Sequence, residues 1–299
     1  MDVSSYFIEN KALFGCYPTN DDILYFEKIG VKYFIDLTEH GKLPPYNLST
    51  QSTLVKYPIP DMKIPTNITY FCSFILHIEN ILKNLKEGEK IYVHCKGGNG
   101  RAGLVVACLL VRYHNMNALD ALQLTHKYHS ERKNLKLKWR LLGSPQTMSQ
   151  KNFVIKLFTP FCIYRDVLIG NKFGFVPYSK ISVYIPELNM NFDNTYNAYK
   201  YIISNIPYAS DEDMFNCMLY VQDLKIKQCI QFKNNLINTT FRPIMYCNNN
   251  DKYWGVDNRG IGNNHLGKIL MQLRDEIMVN SYIDFKNEFS KKSKDDKLF

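Results

Sequence analysis

The segment Ile91-Tyr92-Val93-His94-Cys95-Lys96-Gly97-Gly98-Asn99-Gly100-Arg101 decides how the first half of this chain is read. Ile91–Val93 is β-branched and aromatic and predicts a strand, whereas the residues from Arg101 to Tyr113 are nearly all apolar and predict a helix buried in a core. Between them lie three glycines. A strand, a glycine-rich loop and a helix form a cradle for phosphate, because successive backbone N–H groups can turn inward and the helix N-terminus adds partial positive charge. A cysteine at the base of such a cradle shifts the expected chemistry from binding to attack. The amides, the helix end and Arg101 all favour the thiolate of Cys95 over the thiol. Arg101 can close the loop and grip two phosphoryl oxygens in bidentate fashion, and Lys96 adds a charge at the mouth. A buried cysteine beside a turn is the plainer alternative, and the whole H-C-x5-R pattern argues against it.

Working outward, Val31–Leu37 and Leu54–Ile59 read as two further strands. A helix is expected between the second and third strands, from an N-cap at Thr66 through Tyr70, Phe71, Phe74, Ile75, Ile78, Ile81 and Leu82 to a stop at Gly88. Strand, helix, strand predicts a mainly parallel sheet flanked by helices. Ala118–His129 carries a moderate helical stripe, and Gln150–Phe158 reads as the closing helix. The expected division is a phosphate-handling α/β domain over 1–165, a smaller mixed α+β, helix-rich domain over 166–285, and a charged, disordered tail over 286–299. The second domain is expected to hold a strand at Lys180–Tyr184 and helices at Asn194–Ser204 and Leu266–Ile277.

A chain of 299 residues with 45% hydrophobic side chains has material for two cores. Its longest uninterrupted apolar run, Leu104–Val111, is too short to span a bilayer, and its first residues lack a signal-peptide pattern. No membrane partner is expected. Eight cysteines without a close pair point to a reduced, intracellular, cytoplasmic setting and to no metal site. The net charge of +9 suits anionic partners in general, but lysine and asparagine are spread throughout, so nucleic acid is not the expected ligand.

The cysteine loop resembles the signature of the cysteine-dependent protein tyrosine phosphatase superfamily, in particular its compact dual-specificity members. The resemblance spans about residues 10–158 and includes Phe34-Ile35-Asp36-Leu37-Thr38-Glu39, Leu43-Pro44-Pro45-Tyr46, Tyr57-Pro58-Ile59-Pro60-Asp61 and Ser144-Pro145-Gln146-Thr147-Met148-Ser149-Gln150. It implies catalysis by Cys95, Arg101 and Asp61. Asp61 would be the general acid and then base, on a loop that could close over substrate. The resemblance further implies phosphate binding by Lys96, Gly97, Gly98, Asn99 and Gly100, with support from His94 and from Gln146 as the water-positioning residue. No cofactor is implied. Ala102 departs from the Ser or Thr that usually follows the arginine, which predicts slow breakdown of a phosphocysteine. The default substrate is a phosphorylated protein; phosphoinositides and RNA 5′-phosphates are compatible. A non-catalytic recognition module for phosphate or ADP-ribose is the other class of reading.

In the second half, Asp251-Lys252-Tyr253-Trp254-Gly255 precedes a glycine-rich loop and the apolar stripe Leu266, Ile269, Leu270, Leu273 and Ile277. On residue types alone this is a turn feeding a core helix. The order of residues is similar to the NADAR family, which includes N-glycosidases acting on ADP-ribose-related molecules and riboflavin intermediates. The similarity covers about residues 172–280. It implies a second site of Asp193, Lys200, Asp251, Trp254 and Asn264, with an ADP-ribose-like or riboflavin-intermediate ligand. Asp193 stands where the family has Glu, and that shortening puts N-glycosidase activity in doubt.

Overall fold

The computed structural model describes residues 3–164 and 173–295, and the chain divides into two compact units between Phe158 and Thr159.

The first unit is built on a five-stranded sheet. Its strands are β1 (Ser4–Ile8), β2 (Ala12–Gly15), β3 (Val31–Asp36), β4 (Thr53–Lys56) and β5 (Lys90–His94), in the order β1-β2-β5-β3-β4. β2, β5, β3 and β4 run parallel, and β1 is an antiparallel edge. The parallel pairs need helical crossovers, supplied by α1 (Asn20–Lys28) between β2 and β3 and α2 (Ile68–Lys83) between β4 and β5. β5 is central, and its residues Ile91, Tyr92, Val93 and His94 are all buried, as a strand covered on both faces requires. Phe26 stacks on Tyr92 with ring centroids 4.1 Å apart, tying α1 to the sheet.

After β5 come α3 (Arg101–His114), α4 (Ala118–Ser130), α5 (Leu137–Leu142) and α6 (Met148–Leu157). Ten consecutive residues of α3, Arg101–Leu110, are buried, and Asn115 in the left-handed region ends the helix. Burying Leu104, Val105, Val106, Leu109 and Leu110 contributes roughly 10 kcal/mol of apolar transfer, an upper figure because the unfolded chain already buries some of this surface. That anchorage fixes where the helix begins, and so fixes Arg101.

The second unit joins β6 (Phe161–Tyr164) in parallel to β9 (Ile244–Cys247), and β7 (Val183–Ile185) to β8 (Met190–Phe192) as a hairpin. Around them lie α7 (Thr195–Ser204), α8 (Asp211–Gln228), α9 (Ile230–Asn238) and α10 (His265–Asp295). Leu266, Ile269, Leu270 and Leu273 pack with Ile244, Tyr246, Phe232, Leu236, Met218 and Val221 in one core, so the stripe read at 266–277 faces inward.

The fold class is the one the sequence predicts, with corrections at the edges. The α2 N-cap is Asn67, not Thr66, because the Asn67 side chain accepts from the Tyr70 amide at 2.9 Å. A border at 165 leaves Phe161–Tyr164 with the first unit, whereas their pairing with β9 places them in the second; residues 165–172 lie outside the described residues. The tail expected to be disordered from 286 continues α10 to Asp295, and residues 296–299 lie outside the described residues. The strand expected at Lys180–Tyr184 is displaced to Val183–Ile185. Among the described residues no helix is long and apolar enough to cross a membrane, and no group of three His, Cys, Asp or Glu side chains could hold a metal ion.

Candidate active site

Cys95 follows the last residue of β5 and Arg101 is the first residue of α3, so the loop between them sits at the carboxyl end of the central strand. The carbonyls of this loop are held from outside. Tyr17 N–H donates to Lys96 O at 3.1 Å, the Cys16 thiol to Gly97 O at 3.3 Å and Ser144 Oγ to Asn99 O at 2.6 Å. In a planar trans peptide the N–H points opposite the C=O, so fixing these oxygens outward turns the amides of Gly97, Gly98 and Gly100 inward. Among the described residues those amides donate to no protein acceptor, and an oxyanion could take them. The Asn99 side chain is pinned by His129, Nε2 to Oδ1 2.8 Å. Gly98 adopts φ +67° with the Gly15 backbone pressed against it, a position with no room for a Cβ.

Cys95 is 2% exposed and Arg101 3%. The Arg101 guanidinium donates through Nη1 to Ile59 O at 3.1 Å and pairs through Nη2 with Asp61 Oδ1 at 2.9 Å, while its buried Nε has no partner among the described residues. The arginine thus links the phosphate loop to the segment carrying Asp61, whose side chain is 62% exposed. Cys95, Lys96, Gly97, Asn99, Gly100, Asp61 and Gln146 line one cleft of about 430 Å³, with Cys16, Met62, Asn134, Leu135, Lys136 and Trp139. Most residues read from the sequence therefore come together in this lining, and Arg101 joins it through Asp61, whereas Gly98 and His94 are not part of it.

His94 is fully buried and shares a hydrogen bond with the Tyr46 hydroxyl at 2.8 Å. Burial, opposed by nearby Asp36, pushes its pKa down to about 4. Unfolded histidine titrates near pH ~6.5, so between the two values the unfolded chain binds more protons. The stability from keeping His94 neutral is full above about pH 6.5 and falls by roughly 3 kcal/mol as the pH drops toward 4. His94→Gln, which has no such proton to gain, should flatten the fall of the thermal midpoint between pH 7 and 4; an unchanged acid slope would contradict the assignment.

Two residues the sequence did not single out support this site. Arg132 is 2% exposed, lies 4.4 Å from the Phe14 ring centroid and, among the described residues, has no hydrogen-bond partner for any of its three guanidinium nitrogens. Burial opposes its charge, whereas Cys16, Tyr92 and Cys95 favour it, so it is a buried cation set behind the phosphate loop beside Gly98. Gln150, fully buried, closes a capping box with Thr147 and donates to Lys63 O at 3.1 Å, tying the Asp61 segment to α6.

The second-unit candidates are less concentrated. Asp193 and Lys200 are exposed, and Lys200 Nζ sits 5.3 Å from the Tyr196 ring; neither Asp193 nor Asp251 pairs with it among the described residues. Asp251 Oδ1 accepts the Trp254 amide at 3.0 Å, and Trp254 packs edge-on against Tyr199 at 5.4 Å. The Asn264 side chain is committed to β9, accepting from Tyr246 N at 3.0 Å and donating to Ile244 O at 2.8 Å. The sequence also leaves unmarked Lys225, fully buried on α8, which donates to Gly174 O at 2.5 Å and Ser179 Oγ at 2.9 Å and is pushed down to about 7 by burial.

Residues 12–154 match the family model described as Swiss Army Knife protein, DSP-PTPase phosphatase domain, and residues 208–278 match the NADAR domain. Protein 197R of Invertebrate iridescent virus 6, classed by its name among tyrosine phosphatases, is 32% identical over 276 residues, covering 91% of each chain. Protein 067L of Invertebrate iridescent virus 3, likewise named, is 38% identical over 168 residues, covering 54% of this chain and 68% of that one. PTPMT2 of Arabidopsis thaliana, named a phosphatidylglycerophosphate phosphatase, is 33% identical over 121 residues, 39% of this chain and 51% of its own. Among solved structures, Tk-PTP in its active form is similar over 52% of this chain and 94% of its own, with 22% identity and a TM-score of 0.40. A relative that is alike over nearly the whole length of both chains, together with the matched phosphatase domain, establishes that this chain belongs to the tyrosine and dual-specificity phosphatase family, with a NADAR domain in its second half.

Proposed function

We propose that the first unit hydrolyses phosphate monoesters in two steps through Cys95. The Cys95 sulfur attacks phosphorus, the S–P bond forms as the P–O bond to the leaving group breaks, and the leaving oxygen takes a proton from Asp61. Water then attacks phosphorus, Asp61 accepts its proton, the S–P bond breaks and inorganic phosphate leaves with the thiolate restored. The inward amides and the Arg101 guanidinium hold the equatorial oxygens throughout, where charge is greatest. The observation that carries this reading is the loop whose carbonyls are fixed outward by Tyr17, Cys16 and Ser144, with Arg101 joining it to Asp61.

Ala102 is buried in the first turn of α3 and brings no hydroxyl to the sulfur. A hydrogen bond to a charged group is worth about 1.5–3 kcal/mol, so breakdown of the phosphocysteine is limiting and Ala102→Ser should raise steady-state turnover of an aryl phosphate roughly 10- to 100-fold. The burst of released aryl alcohol should shrink in the same variant. No phosphate release by the parent protein would remove the hydrolase reading, and an unchanged rate in Ala102→Ser would remove this account of its limiting step. Phosphorylated proteins are the family default as substrates, and the Arabidopsis relatives named for phosphatidylglycerophosphate place phospholipid monoesters beside them in the assay.

For the second unit, Asp193 and Lys200, both exposed and without an ion pair between them among the described residues, favour binding of an ADP-ribose-like ligand or riboflavin intermediate over cleavage. Trp254 offers the stacking face, so ADP-ribose should quench its fluorescence saturably; a flat titration with Trp254→Phe as the reference would oppose this.

A further inference from the structure

The cleft above Cys95 has an unusual rim. Leu135, Lys136 and Trp139 stand on one wall and Met62 on another. Outside that lining, α5 leaves Leu137 70%, Leu141 76% and Leu142 43% exposed, and Met62 is 53% exposed. Exposed cations are interleaved with them: Lys133, Lys136, Lys138 and Arg140 in the same stretch, Lys63 next to Met62 and Lys96 on the loop. From Arg132 to Leu142 there is no acidic residue. The Lys138 ammonium lies 5.1 Å from the Trp139 ring. The segment is also held in place, since Trp139 N–H donates to Lys136 O at 2.9 Å and Arg140 Nη2 to Arg132 O at 3.3 Å.

Apolar side chains left in water beside the cations of a stretch, 132–142, that holds no acid, with an indole between them, match a surface that meets headgroup phosphates with its charges and acyl chains with its leucines. A peptide substrate would be held by side chains lining the cleft, whereas Leu137, Leu141 and Leu142 stand beyond its lining. We propose that this rim docks on the surface of an anionic bilayer and that the Cys95 site takes a phospholipid bearing a terminal phosphate monoester. This rests on the hydrolase reading above. The chemistry is the same two steps, with the lipid hydroxyl as the leaving group protonated by Asp61. The sequence excludes a spanning stretch, and its expectation of no membrane partner rests on that; a surface contact needs no apolar run.

The test uses the full chain and sedimentation with phosphatidylcholine vesicles, with and without about one third phosphatidylglycerol. A second arm measures phosphate release from phosphatidic acid in the anionic vesicles, from a phosphotyrosine peptide and from an aryl phosphate. The comparison variant is Leu137→Gln with Leu141→Gln, two residues outside the cleft. The parent should sediment with anionic vesicles and lose binding roughly tenfold or more on phosphatidylcholine alone or in the double variant. Release from vesicle phosphatidic acid should fall about as much in the variant while aryl phosphate turnover stays at the parent level. Absence of binding to anionic vesicles, or equal binding by the variant, would overturn docking. Faster hydrolysis of the phosphopeptide than of vesicle lipid, with the phosphopeptide rate falling in the variant, would overturn the lipid assignment and give the rim to protein substrates. Vesicle binding without hydrolysis of any of the three would leave docking intact and defeat the hydrolase reading instead.

Discussion

Cys95→Ser is expected to lower aryl phosphate turnover by at least about four orders of magnitude, because in the proposed mechanism the Cys95 sulfur is the atom that attacks phosphorus. The substitution changes one atom at a site that is 2% exposed. It leaves the outward hydrogen bonds to Lys96 O, Gly97 O and Asn99 O untouched. Phosphate should therefore still bind, and the thermal midpoint should hold. A serine hydroxyl is a far weaker acid than a thiol, so the inward amides stabilise an anion that hardly forms. A variant retaining within about tenfold of the parent rate would show that another group attacks phosphorus.

The second large effect is expected of Arg101→Lys, with kcat/KM falling by about 100- to 1,000-fold and charge conserved. Arg101 does two jobs with one planar group, donating to Ile59 O and pairing with Asp61 while its Nε stays uncommitted. A lysine offers a point charge that cannot span these directions. It would weaken the grip on phosphoryl oxygens and free the Asp61 segment together. If only KM rose, with kcat unchanged, the guanidinium would be a ground-state anchor alone and its link to the acid would lose its meaning.

The centre of this site is legible in the sequence because its parts are contiguous. Strand, glycine loop and buried helix follow one another from Lys90 to His114, and each has its own local signal. What the sequence does not display are partners joined only by folding. Arg132 sits in a polar run that reads as solvated, and the ring beneath it, Phe14, belongs to a strand far back in the chain. Gln150 reads as part of a motif with Gln146, but its contact with Lys63 depends on where α6 packs. In the second unit, α8 lacks a clear apolar stripe because buried Gln222 and Lys225 interrupt it, although the Ser210–Asp213 capping box marks its start. The tail misleads in the other direction, since mixed charge from 286 onward hides a helix continued from a buried stripe at Leu266–Leu273.

The most direct measurement is acid-quench mass spectrometry of the whole chain during turnover of an aryl phosphate, followed by peptide mapping. Protein heavier by one phosphoryl group, with the added mass on the peptide containing Cys95, should accumulate in the parent and decline in Ala102→Ser. A chain that releases phosphate steadily with no such adduct, or carries it on a residue other than Cys95, would contradict the mechanism.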